Sequence, residues 1–592
     1  MASKIQFKRG STSQSDAYRG AEGEVIINTT KDTIVVHDGV ETGGYEIIRA
    51  DLSNISGNVP AVNITDVDCG IYGSGLFSPP TFTSASLSQT LDNPNDSGSS
   101  ASDNFGYSVA TSDTYSIVGA YVESNASGKA YIFNNSTGAL VHTLDNPNAY
   151  GTSSGDLFGY RVAISDTYAI VGAFEEDDAD GNSSSKAYIF NVSTGAVVHT
   201  LDNPNPYGTS ANDYFGRAVA ITDTYAIVGA VGEDEADNSG SGKAYIFNNS
   251  TGALVHTLDN PNDYDTSASD AFGGSVAISD TYSIVGAQYE DDAGGTSSGK
   301  AYIFNNSTGA LVHTLDNPNA YGTSASDNFG RAVAITDTYA LVGAIYEDDA
   351  GGNSSGKAYI FNVSTGALVH TLDNPNAYGT SSGDYFGGFV AMSDNYALVG
   401  AQFEADAGGT SSGKAYIFSN HTGALLKTLD NPNDYGTSQN DSFGFSVAIS
   451  GNYAIVGAYG ESDADGTYNS GKAYIYNVTT GALVHTLDNP NPYGASTTDN
   501  FAYSVGISGN YAIVGAYGED SASYNNTGKV YIFSVSTGAL LETLDNPNAY
   551  GTSESDCFGR MVAITDDYAI AGTYLEDDAG GGNSGKAYVY SL

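Results

Sequence analysis

Four residue types in this chain could do chemistry, and each recurs at a regular interval. Acidic clusters run from Glu175 to Asp180, Glu233 to Asp237, Glu290 to Asp292, Glu347 to Asp349, Glu461 to Asp465 and Glu576 to Asp578. Oxygen-rich loops with glycine are the ligand set that Ca²⁺ takes. The spacing varies, however, and the first copy shrinks to Tyr121-Val-Glu-Ser-Asn-Ala-Ser-Gly128. Solvated acidic loops are therefore the preferred reading, calcium is the alternative, and no cofactor is required. A lysine follows every loop, at Lys129, Lys186, Lys243, Lys300, Lys357, Lys414, Lys472, Lys529 and Lys586. A local counter-charge explains it, weak singly at a surface. A catalytic lysine would not be needed nine times.

Histidine recurs at His142, His199, His256, His313, His370 and His485, but the same position holds Lys427 and Glu542 in other copies. Neither a metal site nor catalysis tolerates both swaps, so an outward-facing strand position is expected. Tyrosine is the more promising type: there are 44, and no Trp. Eight follow Asn-Pro-Asn, at Tyr150, Tyr207, Tyr264, Tyr321, Tyr378, Tyr435, Tyr493 and Tyr550. Flat rings among Asn, Asp and Ser suit sugars, through stacking and hydrogen bonds to hydroxyls. The competing reading is that these rings pack each loop on its neighbour. No Ser/His/Asp set, carboxylate pair or phosphate loop rises above the repeating background, so no enzyme is expected.

The elements that must position these residues are nine near-copies of one unit. Leu-Asp-Asn-Pro-Asn opens each copy, at Leu91, Leu144, Leu201, Leu258, Leu315, Leu372, Leu429, Leu487 and Leu544, mostly 57 residues apart. A fixed period of this length is the mark of a propeller or solenoid. Within the copy from Leu258, four strands are predicted: a at Phe272–Ser279, b at Tyr282–Ala287, c at Lys300–Phe304 and d at Gly309–Leu315. Strands b and c are apolar on both faces and so must be sandwiched. Strand d mixes in His313 and Thr314, as an outer strand would. Up-and-down strands put the long b–c and d–a loops on one face and the short turns on the other. The last copy stops at strand c, and Ala85-Ser-Leu-Ser-Gln-Thr90 can supply its strand d, closing a ring. The expected fold is all-β: a small N-terminal β domain (1–50), a linker or stalk (51–84) and a propeller of about nine four-stranded blades (85–592). An open, curved array is the alternative.

Phe-Gly stands at the start of strand a in eight copies, with Phe501-Ala502 the exception, and Gly-Ala closes strand b in eight, with Gly572-Thr573 departing. At these residues the chain resembles FG-GAP repeats, the units of integrin-type propellers, over about 85% of its length. That family's metal loop lies between strands a and b. Here only Ser279-Asp280-Thr281 or its equivalent stands there, so the family site is expected to be absent.

Charge narrows the partners. The chain carries −48, and residues 1–50 hold six Lys/Arg against seven Asp/Glu, leaving 14 against 61 beyond them. Such a surface repels nucleic acid and anionic membranes. Cys69 and Cys557 form no framework, and no apolar run could span a bilayer. The first ten residues have no apolar core of a signal peptide, so synthesis in the cytoplasm is expected.

The N-terminal segment differs from the rest. Short strands with a hairpin near Thr30-Lys31-Asp32 read Phe-Lys-Arg-Gly, Ala-Glu-Gly-Glu, Asn-Thr-Thr and Val-His-Asp-Gly in order. This pattern is similar to the N-terminal domain of phage major tropism determinants and related tail-fibre proteins. The resemblance implies attachment to a virion and trimer formation, and so small a β segment needs partner chains in any case. The expected function is a virion appendage, a homotrimer docked on other tail proteins, whose propeller meets a host surface receptor or glycan. A structural decoration protein and a secreted adhesin are the alternatives.

Overall fold

The computed structural model describes strands at 7–10, 25–28, 33–36, 45–47 and 86–92 and most of the chain from residue 103. The exceptions there are residues 113, 138, 574 and stretches of the b–c and d–a loops. Two units separate, Met1–Thr81 and Phe82–Leu592. In the first, β1 (Phe7–Gly10), β2 (Val25–Asn28), β3 (Thr33–Val36) and β4 (Tyr45–Ile47) form one sheet in chain order. The first pair is parallel, and β2 and β3 make the expected antiparallel hairpin, with Asn28 opposite Thr33. Residues 51–84, read as a stalk, lie outside the described residues.

The second unit consists of nine four-stranded antiparallel sheets, each in the order a-b-c-d. In the fourth blade these are Phe272–Ile278, Tyr282–Ala287, Lys300–Asn305 and Leu311–Asp316. The first blade adds a short helix, α1 (Glu123–Ala126), in its b–c loop. Strands b and c are buried on both sides, while strand d alternates exposed and covered residues. The physical reason lies in the core, which is made of inter-blade layers. Ile227, Ala244 and Ile246 of one blade, for example, pack on Phe272, Val285 and Tyr302 of the next. Each strand b or c therefore needs apolar side chains on both faces. Phe272 anchors the layer, 5.4 Å from the Tyr302 ring and edge-on to Phe304 at 6.2 Å.

The ring closes. Strand β5 (Ser86–Asp92) pairs antiparallel with Lys586–Ser591 as strand d of the ninth blade. Phe105, Val118 and Tyr131 of the first blade share a core with Ile570, Ala587 and Val589 of the ninth. The open array is thereby excluded. Closure leaves no unpaired sheet face at the ends of the repeat, which an open stack would have to cap.

Candidate functional site

Two sets of polar residues surround the loop-bearing face, and they behave oppositely. The first is a buried triad in every blade. Strand pairing sets Ala287 opposite Lys300 and Lys300 opposite Asp316. The chain turns after Ala287, with the Glu290 N–H donating to the Ala287 carbonyl. This turn drops Glu290, wholly buried, beside Tyr302 and Lys300. The Tyr302 hydroxyl donates to its carboxylate at 2.5 Å and the Lys300 ammonium lies 3.0 Å away. The tyrosine–glutamate bond recurs from Tyr131–Glu123 to Tyr588–Glu576, with the lysine within 3.4 Å of the glutamate in seven blades, while Lys186 and Lys243 lie against Asp202 and Asp259. Burial pushes the Glu290 carboxyl up to about 7, against the pull of Lys300 and Tyr302. At Glu176 and Glu233, whose lysines lie against Asp202 and Asp259 and pull less, burial carries the carboxyl to about 8. Beside its carboxylate, each tyrosine hydroxyl is held far above its ordinary range by burial and by that charge.

The Leu-Asp-Asn-Pro-Asn motif serves the same frame. Its leucine is core, its aspartate faces the lysine, and its first asparagine donates to the aspartate that opens the next strand a, as in Asn260 to Asp270 at 2.8 Å. Both ends of each d–a loop are thus fastened. A group repeated nine times, its glutamate sealed from solvent and bonded to its tyrosine, builds a scaffold.

The second set lies where strand a begins and strand b ends, around the centre of the ring. The residue before Phe-Gly is Asn104, Leu157, Tyr214, Ala271, Asn328, Tyr385, Ser442, Asn500 or Cys557, and in all nine blades its φ lies between 53° and 59°. Left-handed backbone is costly for all of these side chains but the three asparagines, which tolerate it. The residue after Phe-Gly is Tyr107, Tyr160, Arg217, Gly274, Arg331, Gly388, Phe445, Tyr503 or Arg560. Here nearly identical copies differ most. Tyr107, Tyr121 and Tyr160 stack mutually at 4.7 to 5.4 Å. Phe445 and Tyr459 continue the aromatic sector to Tyr503 and Tyr517, where Arg560 lies 5.8 Å from both rings. A register shift between Phe215 and Ala218, repeated in other blades, marks a bulge at this point. Bulges re-aim side chains next to sites.

Between the two sets runs a glycine contact. Gly273, at φ 87°, presses its carbonyl on Gly229 at the end of strand b in the preceding blade. A Cβ on either residue would overlap backbone of the other blade: the Gly273 carbonyl from Gly229, the Lys243 carbonyl from Gly273. Phe-Gly of one blade therefore docks against Gly-Ala of its neighbour. The nine FG-GAP repeat matches cover residues 95–133, 148–190, 206–247, 263–304, 319–361, 376–418, 434–476, 492–533 and 548–590.

The chain belongs to the FG-GAP repeat family.

Its departures are absorbed locally. Ala502, in place of the usual glycine, keeps φ at 69°, and Thr573, in place of alanine, donates its hydroxyl to the Asp556 carbonyl at 2.8 Å. Outside the FG-GAP repeats, residues 5–41 match the major tropism determinant N-terminal domain. The "Tail fiber receptor-binding protein" of Bordetella phage BPP-1 is 42% identical over 52 residues, 9% of this chain and 14% of that protein. Among solved structures, BamB from Moraxella catarrhalis aligns over 70% of this chain and 95% of its own, with 14% identity and a TM-score of 0.37.

The residues singled out from sequence fare unequally. The eight loop tyrosines, Tyr150 to Tyr550, lie outside the described residues, as do the tips of the acidic loops. The glutamate that opens each loop is buried in the frame, and among the described residues no group of acids, His and Cys could hold a metal. The lysines are counter-charges, but not surface ones: Lys243 and Lys529 are 1% exposed. The histidines do not face outward. The His142 ring covers Gly195 in the c–d turn of the next blade, with Nε2 sealed and without a hydrogen-bond partner, and five others repeat this. Lys427 covers Gly481 in the same way, which explains the swap: the position needs bulk over a glycine. The rim went unnoticed, although alignment of the nine copies would have shown its variability.

Proposed function

We propose that this protein is a phage virion appendage of the tail-fibre type. Residues 1–50 dock it on other tail proteins and assemble it as a homotrimer, residues 51–84 act as a stalk, and the propeller meets the host surface with its loop-bearing face. The observation that carries this reading is the N-terminal match to a tail-fibre domain in a chain that continues as a binding-type propeller. Propellers host many activities, so the fold by itself decides none. The described face supports binding over catalysis, because the buried glutamate of each blade is taken up by its tyrosine while the rim varies from copy to copy. The rim and the loop tyrosines Tyr150, Tyr207, Tyr264, Tyr321, Tyr378, Tyr435, Tyr493 and Tyr550 together form the proposed contact surface. Three copies on one fibre would add avidity to weak single contacts.

The test is the solution mass of the full chain beside one beginning at Ser84. A trimer that falls to a monomer on truncation is expected. A monomeric full chain would refute the fibre assembly and favour a decoration protein.

A further inference from the structure

The rim is not uniform around the ring. In blades 7, 8, 1 and 2 the residue after Phe-Gly is Phe445, Tyr503, Tyr107 and Tyr160, and these rings interlock with one another or with neighbours. In blades 3 to 6 the same position alternates: Arg217, Gly274, Arg331, Gly388. The glycines leave space between the arginines. A cavity of about 550 Å³ opens there, lined by Tyr160, Arg161, Arg217, Gln288, Arg331 and Phe389 among others.

Its charge runs against the rest of the molecule. Every arginine beyond residue 50 lies in a strand a or directly before one, and three of the four line this one cavity. Arg161, Arg217 and Arg331 are exposed, and none has a carboxylate within ion-pair distance among the described residues. Arg161 rests on the Tyr160 ring at 4.7 Å and Arg331 is 6.0 Å from the Tyr346 ring. The buried lysines, by contrast, each face a carboxylate. A chain with 61 acids and 14 bases beyond residue 50 could readily have supplied these arginines with partners. Three guanidiniums aimed at one cavity without them repel one another until an anion enters. Their planar forks suit carboxylate or phosphate, and Tyr160 and Phe389 offer flat apolar faces beside them.

We propose that this arginine-lined cavity binds an anionic sugar segment, its acidic group held by Arg217 and Arg331 and its ring set against Tyr160 or Phe389. This rests on the reading of the propeller as the host-binding part and names the class of ligand. The negative field elsewhere steers anions away, so recognition is confined to the mouth of the cavity.

The experiment immobilises the full chain and measures retention of three probes: oligogalacturonates, a mannose-phosphate oligosaccharide and neutral maltooligosaccharides of equal length. One or both acidic probes are expected to be retained and the neutral series not. R217A/R331A should weaken retention at least tenfold with an unchanged melting transition, and R217K/R331K should recover part of it. Which acidic probe binds assigns carboxylate or phosphate. Retention of neither acidic probe, equal retention of the neutral series, or indifference to R217A/R331A would overturn the proposal. Host cells are assayed in parallel. If they bind wild type and R217A/R331A alike, the appendage reading survives and the cavity does not. If acidic sugars bind but cells do not, the reverse holds.

Discussion

The frame and the rim of each blade are built from the same chain, a few residues apart, under opposite rules. In the frame, Glu, Tyr and Lys recur without change nine times, buried and partnered. At the rim, neighbouring positions run through Asn, Leu, Tyr, Ala, Ser and Cys on left-handed backbone that disfavours all but Asn. Nine copies in one chain serve as an alignment of the protein with itself. Where burial and hydrogen bonding dictate the residue, the copies agree. Where they differ although the backbone conformation stays fixed, something other than folding sets the side chain. Strain retained at such positions is a mark of function.

The sharpest way to break this contrast is to damage one frame. Glu290→Ala takes the buried carboxyl from Tyr302 and leaves Lys300 with the exposed Asp316 as its carboxylate, which should cost about 3 kcal/mol, read by denaturant unfolding. Arg217→Ala at the rim should shift stability by less than about 0.5 kcal/mol. Comparable losses at both places would abolish the distinction. Tyr302→Phe removes one charge-assisted hydrogen bond and should cost about 1.5–3 kcal/mol, between the two.

The glycine contact gives a test of opposite signs. Gly273→Ala meets the Lys243 carbonyl and an unfavourable φ, so a clear loss of stability is expected. Ala502→Gly, the reverse change in the one blade that lacks this glycine, should gain about 1 kcal/mol by relieving φ 69°. At the rim, Leu157→Gly should bring a similar or smaller gain, since Leu157 sits at φ 55°. A melting temperature that fell in both glycine variants would show that the left-handed positions carry no strain.

The raised carboxyls of the frame sharpen the comparison by pH. The folded state holds their protons up to about 7, or 8 at Glu176 and Glu233, whereas an unfolded glutamate releases its proton near 4.5. Between these values the folded chain binds more protons than the unfolded one, so stability falls as pH rises. Relief of self-repulsion in a chain of −48 acts in the same direction on acidification. A melting transition higher at pH 5.5 than at pH 8 is expected, and a lower one would contradict the buried-carboxyl account. The rim arginines do not titrate in this range, so the pH effect should be unchanged in R217A/R331A.

Much of the fold was legible because each strand was written nine times. Strand b, Tyr282–Ala287, was read to the residue, strand c ran one residue further to Asn305, and strand d began at Leu311, after the turn glycine Gly309. The pairing of Ser86–Asp92 with the last blade was legible from the missing ninth strand d. The setting of the charges was not. Lys300 reads as a surface base until strand pairing and the turn after Ala287 bring Glu290, ten residues earlier, under it. His313 reads as outward until the next blade's Gly366 is seen beneath its ring. Both depend on contacts between strands or blades that spacing alone does not reveal. The arginine cavity joins strands a of five consecutive blades, more than 200 residues apart at its limits, and only the stacking of blade on blade assembles it.

The most direct test of the division between frame and rim is competition for adsorption. On the proposed tail-fibre reading, purified full chain added to host cells before phage should block adsorption, and R217A/R331A should fail to block while melting like wild type. Equal blocking by both proteins, or none by either, would contradict the account.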